Sequence, residues 1–231
     1  NNTSKMFNSF LKIAFRNFTR SKGNALLNVL GLATGITCCL LIFEYVAYER
    51  SYESFNPDAG RIIRVQDEEY QNGQMIVPCA AAMPGVAPAM KREFPEIENA
   101  ARLRKISILL GNDTRNIQFH EASVYYADQA VIPVFHLRLI KGNEKTALID
   151  PGKILLSETL ARKYFGKDEP MGKVLTVHIG GKLRPLEVTG VFRDYPDNSH
   201  IRFGVLISYP SYSRVIGTAD KADDPLETSF G

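Results

Sequence analysis

Residues 25–43, ALLNVLGLATGITCCLLIF, carry no charged side chain, and ten of the 19 are Leu, Ile, Val or Phe. As a helix rising about 1.5 Å per residue, the stretch is roughly 28 Å long, close to the roughly 30 Å hydrocarbon core of a bilayer. A buried core helix is usually shorter and keeps a charged wet face, which this run lacks. A cleaved signal peptide has an apolar core of about 7–15 residues and a small-residue cleavage site. Here the core is longer, the basic lead runs to residue 24, and Cys39 to Tyr48 contains no Ala-x-Ala pattern. The expectation is a transmembrane helix over 25–46.

Charge asymmetry sets the expected orientation. Lys5, Lys12, Arg16, Arg20 and Lys22 precede the apolar run, whereas Glu44, Glu49, Glu53 and Asp58 come after it with only Arg50 among them. The positive-inside bias keeps the N-terminus cytoplasmic and exports the remainder of the chain. Tyr45, Tyr48, Tyr52 and Phe55 sit at helical spacing just beyond the run. Two readings stay open for them: rings in the headgroup layer, or rings packed on the exported domain.

The lead has its own periodicity. Phe7, Phe10, Leu11, Ala14, Phe15 and Phe18 form one apolar helical face, with Lys12, Arg16 and Arg20 on or beside the other. That pattern suits an amphipathic helix over 1–24 lying in the cytoplasmic interface, with Phe7, Phe10 and Phe15 toward the acyl chains and Lys12, Arg16 and Arg20 on anionic lipid. Within the span, Gly31 and Gly35 form a Gly-x-x-x-Gly pair, where a second helix can approach closely. Asn28, Thr34 and Thr37 add polar groups that favour a protein neighbour over lipid.

At 231 residues, 45% hydrophobic and 23% charged, the chain can bury a core and is not disordered in bulk. Three cysteines without a Cys-x-x-Cys pair exclude a disulfide scaffold and a thiol-based zinc or redox motif. The net charge of +3 is local: beyond the five cations of the lead, 23 basic groups face 25 acidic ones, so nucleic acid is not an expected partner.

Beyond the span, hairpin patterns alternate with short helices. Arg61 to Glu69 and Gln74 to Pro78 read as paired strands around Asn72-Gly73. Pro84 to Phe94 reads as a helix. Strands are expected at Ala101 to Leu110, Asn116 to His120 and Ser123 to Tyr126, then a short helix near Asp128 to Phe135. Lys153 to Leu156 reads as a strand, followed by a helix capped by Ser157 and closed by Gly166, with Leu160, Ala161, Tyr164 and Phe165 inward. Val174 to Ile179 and Leu186 to Phe192 flank Gly180-Gly181, and Ile201 to Ser208 is the last strand before the pattern fades at Ser211. The fold class is α+β, with antiparallel hairpins and helices to one side.

Catalytic motifs fail on spacing. Gly166 to Lys173 has five residues between its glycines and Val174 after the lysine, so it is not a phosphate loop. His120, His136, His178 and His200 lack zinc-ligand spacing, and Ser199-His200 are sequence neighbours whose side chains diverge in an extended chain. Asp67-Glu68-Glu69 alternates faces on a strand, and Cys79 reads as a buried thiol. No catalytic, cofactor-binding or metal residues are assigned.

The same residues carry a family likeness. Ile13-Ala14-Phe15-Arg16-Asn17, the span, and the Tyr52 to Arg64 exit resemble the start of a MacB/FtsX-type ABC transporter permease. Phe94-Pro95-Glu96-Ile97-Glu98, Leu139-Ile140-Lys141-Gly142, Ala147-Leu148, Leu160 to Gly166, Pro170-Met171-Gly172-Lys173, Val188-Thr189-Gly190-Val191 and Pro196-Asp197-Asn198-Ser199-His200 continue it. The resemblance implies a non-enzymatic permease of the bacterial inner membrane, acting as a homodimer or paired permease with an ABC ATPase and a possible periplasmic adaptor. Residues 47–231 would then be the periplasmic core domain, incomplete at its C-terminus, so that the chain is a fragment of an exporter or mechanical transducer. The alternative is a single-pass anchored periplasmic binding or sensor domain.

Overall fold

A computed structural model describes residue 16 and residues 22–71, 74–79, 82–179 and 182–216, and the chain divides into two compact units that part between Tyr52 and Glu53. The first unit holds α1, Lys22–Arg50. Its 29 residues give a rod of about 44 Å. No residue of α1 is buried, and Leu26, Leu30, Leu32, Ile36, Leu40 and Phe43 are exposed around it. A helix apolar all round is built for a nonaqueous neighbour, and α1 is the one helix among the described residues long and apolar enough to cross a membrane. Thr37 Oγ1 donates to the Ala33 carbonyl at 2.8 Å, so this hydroxyl is satisfied within its own helix and requires no partner.

The second unit begins with a 3₁₀ turn at Ala59–Arg61 and the hairpin of β1 (Asp67–Gln71) and β2 (Gln74–Cys79). The expected strand from Arg61 is therefore shorter: among the described residues the pairing ends at Asp67↔Cys79, and residues 62–66 have no partner strand there. The Asn72-Gly73 turn lies outside the described residues, as does Gly180-Gly181. Helix α2 spans Val86–Glu93.

Among the described residues, seven strands form the main sheet: β3 (Leu103–Asn112), β4 (Ile117–Ala127), β5 (Leu139–Gly142), β6 (Lys153–Ser157), β7 (Val174–Ile179), β8 (Lys182–Phe192) and β9 (Val205–Ser208). Their order is β5-β8-β6-β9-β4-β3-β7, and β7 also pairs with β8, so six strands close a ring with β5 attached beside it. Long β8 makes this possible: residues 182–187 pair with β7, whereas β5 joins only at 190–192. The hairpins β3–β4 and β7–β8 are antiparallel, while β4–β9 and β6–β8 are parallel.

Strand β4 is continuous where the sequence suggests two pieces. Its register against β3 slips between Ile106↔Val124 and Ile108↔Glu121, a bulge that throws the side-chain alternation out of phase. The fading pattern after Ser211 also hides a helix, α5 (Tyr209–Ile216), after α3 (Val131–Val134) and α4 (Glu158–Phe165). Pro210 suits its first turn, and Tyr209 and Tyr212, three apart, are both buried.

The central strands are buried on both faces. Val124, Tyr126, Ile154, Leu156, Val205 and Ile207 point into one core cluster, which α4 and α5 enter through Ala161, Tyr164, Phe165, Tyr209 and Tyr212. Tyr125, Ala127, Leu155 and Leu206 point into the other, with Val131 and Ile132 of α3. Helices thus cover both faces, which corrects the expectation of helices to one side. Burial on two sides is what permits near-continuous apolar strands such as residues 154–156 and 205–207. Ser157 caps α4 as expected, its Oγ accepting from Leu160 N at 3.3 Å, and Gly166 ends it at φ +66°.

Candidate functional site

Glu53, three residues after α1 ends, is the first residue of the second unit, and it and the residues that follow are bonded to that unit's own later segments at several points. Glu53 sits at φ +56°, and its amide donates to the Asn198 carbonyl at 3.1 Å. One of its carboxylate oxygens accepts from Ser199 Oγ at 2.8 Å and from the His200 amide at 2.8 Å, with His200 Nδ1 at 3.4 Å. Hydrogen bonds to an ionised acceptor are stronger than neutral ones.

The following residues continue the grip. The Phe55 ring meets Tyr195 edge-on at 5.0 Å between centroids, Tyr195 meets Phe203 at 5.1 Å, and Phe203 meets Phe135 at 5.2 Å. Tyr195 donates its hydroxyl to the Phe135 carbonyl at 3.2 Å. Burial, with the Glu53 carboxylate adding to it, pushes the Tyr195 phenol well above the usual tyrosine range. Asn56 is buried, and its Oδ1 accepts from the Asp58 amide at 2.9 Å. His136 Nε2 donates to Asp58 at 2.8 Å. That bond holds the Asp58 carboxyl below its ordinary value; slight desolvation opposes it and Arg61 reinforces it.

Strain marks the same place. Among the described residues, Glu53, Asn116 and His136 are the non-glycine residues with positive φ. Two of them, Glu53 and His136, hold this segment. A left-handed backbone at such residues persists only where the surroundings over-determine it.

Glu53, Ser199 and His200 lie together, yet they do not form an acyl-transfer triad. The buried Ser199 hydroxyl donates to the carboxylate, not to the imidazole, so no base is placed to activate it. Their geometry is a clamp.

The residues singled out from the sequence fall elsewhere. Gly31 and Gly35 lie on α1, where a Cβ at either would meet nothing within 4 Å. Arg16 is helical and exposed. Phe7, Phe10, Lys12, Phe15 and Arg20 lie outside the described residues. Of the aromatic rings after the span, Tyr45 and Tyr48 are exposed, and Phe55 packs on the sheet unit. Periodicity could not have found the clamp, because its halves are 146 residues apart.

A family model described as the MacB-like periplasmic core domain matches residues 25–228. The chain belongs to this family. Among solved structures, this MacB-like chain is similar to a domain described as a permease protein's from Porphyromonas gingivalis, at 28% identity and a TM-score of 0.50, with 64% of each chain covered. It is also similar to the periplasmic region of MacB from Actinobacillus actinomycetemcomitans, at 20% identity and a TM-score of 0.45, with 59% of each covered. The extracellular domain of the noncanonic ABC-type transporter YknZ from Gram-positive bacteria matches at 19% identity and a TM-score of 0.40, over 52% of this chain and 58% of that one. The chain thus spans less than two thirds of the length of these relatives. No curated protein sequence matches it.

Proposed function

We propose that this chain forms the first spanning helix and periplasmic core domain of an ABC-type permease. In this reading residues 25–46 cross the inner membrane with the N-terminus cytoplasmic, 1–24 lie on the cytoplasmic surface, and 47–231 are exported. Two copies pair, Gly31 and Gly35 admit a neighbouring helix, and a partner ATPase supplies the energy. The chain itself catalyses nothing; its task is to pass movement outward.

The observation that carries this reading is the Glu53 clamp. Movement that enters the sheet unit at its first residues is passed on only if those residues are held to the sheet. Residues 53–58, the first of the second unit, are fixed to its sheet by a backbone bond, charge-assisted side-chain bonds and an aromatic stack, so movement that reaches Glu53 is passed on through defined contacts.

The test uses the full-length permease reconstituted with its ATPase. Glu53→Ala and Ser199→Ala should leave ATP hydrolysis near wild type while transport, or activation of the periplasmic partner, falls several-fold. Glu53→Gln should fall between. A folded Glu53→Ala permease with wild-type output would refute this role of the clamp. A tag at Gly231 that resists protease added to spheroplasts would refute the topology.

A further inference from the structure

A cavity of about 160 Å³ opens between α5 and the sheet face formed by β4, β7, β8 and β9. Its walls include Val177, Leu186 and Ile207, and its polar lining includes Tyr126, Arg184 and Arg214. Two side chains there are orphaned. The Tyr126 hydroxyl and Arg184 Nε are buried and find no hydrogen-bond partner among the described residues. Tyr126 is 2% exposed, so water outside the cavity cannot satisfy it. Leaving such buried donors unmatched is costly, more so for a charged group.

Neighbouring charges do not answer these donors. The residues lining the cavity include no Asp or Glu, and neither Arg184 nor Arg214 has an ion pair among the described residues. Arg104 stacks over Tyr212, beside Tyr126, and adds positive charge. Ser211 is already engaged, accepting from the Gly152 amide at 2.7 Å and bonding Ser208 Oγ at 2.7 Å. Burial pushes the Tyr126 phenol up to about 12, although Arg184 and Arg104 pull against it, so at neutral pH it is a donor.

We infer that this cavity is a binding site for a small aliphatic carboxylate. The guanidinium edge and the phenol offer donors to an acceptor-only group, and the cationic lining favours an anion. The walls of Val177, Leu186, Ile207, Pro151 and Pro185 favour a short apolar body over a fully hydrated ion such as phosphate. Volume limits the size: an apolar cavity of about 150 Å³ takes up benzene, so the ligand has about six non-hydrogen atoms. Butanoate fits that description.

The test uses the full chain in neutral detergent, with butanoate as probe and arginine side-chain ¹⁵Nε NMR plus calorimetry as readouts. Butanoate should bind once per chain and shift the Arg184 Nε–H resonance. Butan-1-ol, which has the same chain without the charge, should bind at least about tenfold more weakly, as should butanoate to Arg184→Gln. Tyr126→Phe removes only the hydroxyl and should weaken binding several-fold in a chain that keeps its core. Absence of butanoate binding, equal affinity for butanol, or unchanged affinity in both Arg184→Gln and Tyr126→Phe would overturn the site. Inorganic phosphate binding as tightly as butanoate would overturn the carboxylate assignment.

Discussion

The carboxylate of Glu53 and the hydroxyl of Ser199 meet at 2.8 Å across 146 residues of sequence. Ser199 is 4% exposed, so its hydroxyl has no alternative partner in bulk water. The bond joins the residues just after the apolar helix to the Pro196–His200 motif, which lies just before β9.

Glu53→Ala removes an acceptor shared by Ser199 Oγ and the His200 amide, and should destabilise the sheet unit by about 1–3 kcal/mol. Part of that loss is offset in Glu53→Gly, because glycine adopts φ +56° freely. Urea unfolding of the three proteins should rank them wild type, glycine, alanine. Hydrogen exchange at 196–201 should rise in both variants.

Gly142→Ala should be among the most damaging single changes. Gly142 sits at φ +102°, and a Cβ there would collide with the Thr189 carbonyl and the Gly190 Cα across the β5–β8 pairing. Backbone cannot yield as a flexible side chain does, so a loss of several kcal/mol or detachment of β5 is expected. Thermal unfolding and exchange at 139–142 distinguish these two outcomes.

Stability should fall at alkaline pH through tyrosine. Burial raises Tyr126 and Tyr209 to about 12, whereas an unfolded tyrosine ionises near 10. Their contribution is complete below about pH 10 and is lost as the pH rises from about 10 to about 12, because the unfolded chain releases these protons first. The slope approaches about 1.4 kcal/mol per pH unit for each such group. Tyr126→Phe should show a shallower decline in denaturation midpoint over that range than wild type.

If the chain acts in the proposed permease, Gly31→Leu with Gly35→Leu should weaken its assembly without blocking membrane insertion. Both glycines face open space on α1, so the larger side chains do not disturb the helix itself. Dimer yield on blue-native gels should drop while the membrane-fraction yield is retained. Equal dimer yield would remove these residues from the interface.

Local signals in the sequence were reliable where one element explains itself. The uncharged run predicts α1, and Ser157 with Gly166 brackets α4, because caps and apolar length are written into adjacent residues. The hairpins β3–β4 and β7–β8 were likewise recognisable, as short-range pairs. The parallel β4–β9 and β6–β8 pairings were not, since their partners are far apart in the chain. The bulge near Ile106–Ile108 split β4 into two apparent strands, and α5 was hidden because its buried tyrosines read as polar. Glu53 first registers only as a charge after the helix. Its role appears when the fold brings Ser199 to it.

The position of β9 bears on how the domain is made. It is the last strand along the chain among the described residues, yet it lies between β4 and β6 and bonds to both. A polypeptide delivered amino-end first must therefore keep two unmatched strand edges until residues 205–208 emerge. A chaperone that shields extended edges during that interval should raise the yield of the domain, and premature release before Ser208 should favour edge-to-edge aggregation.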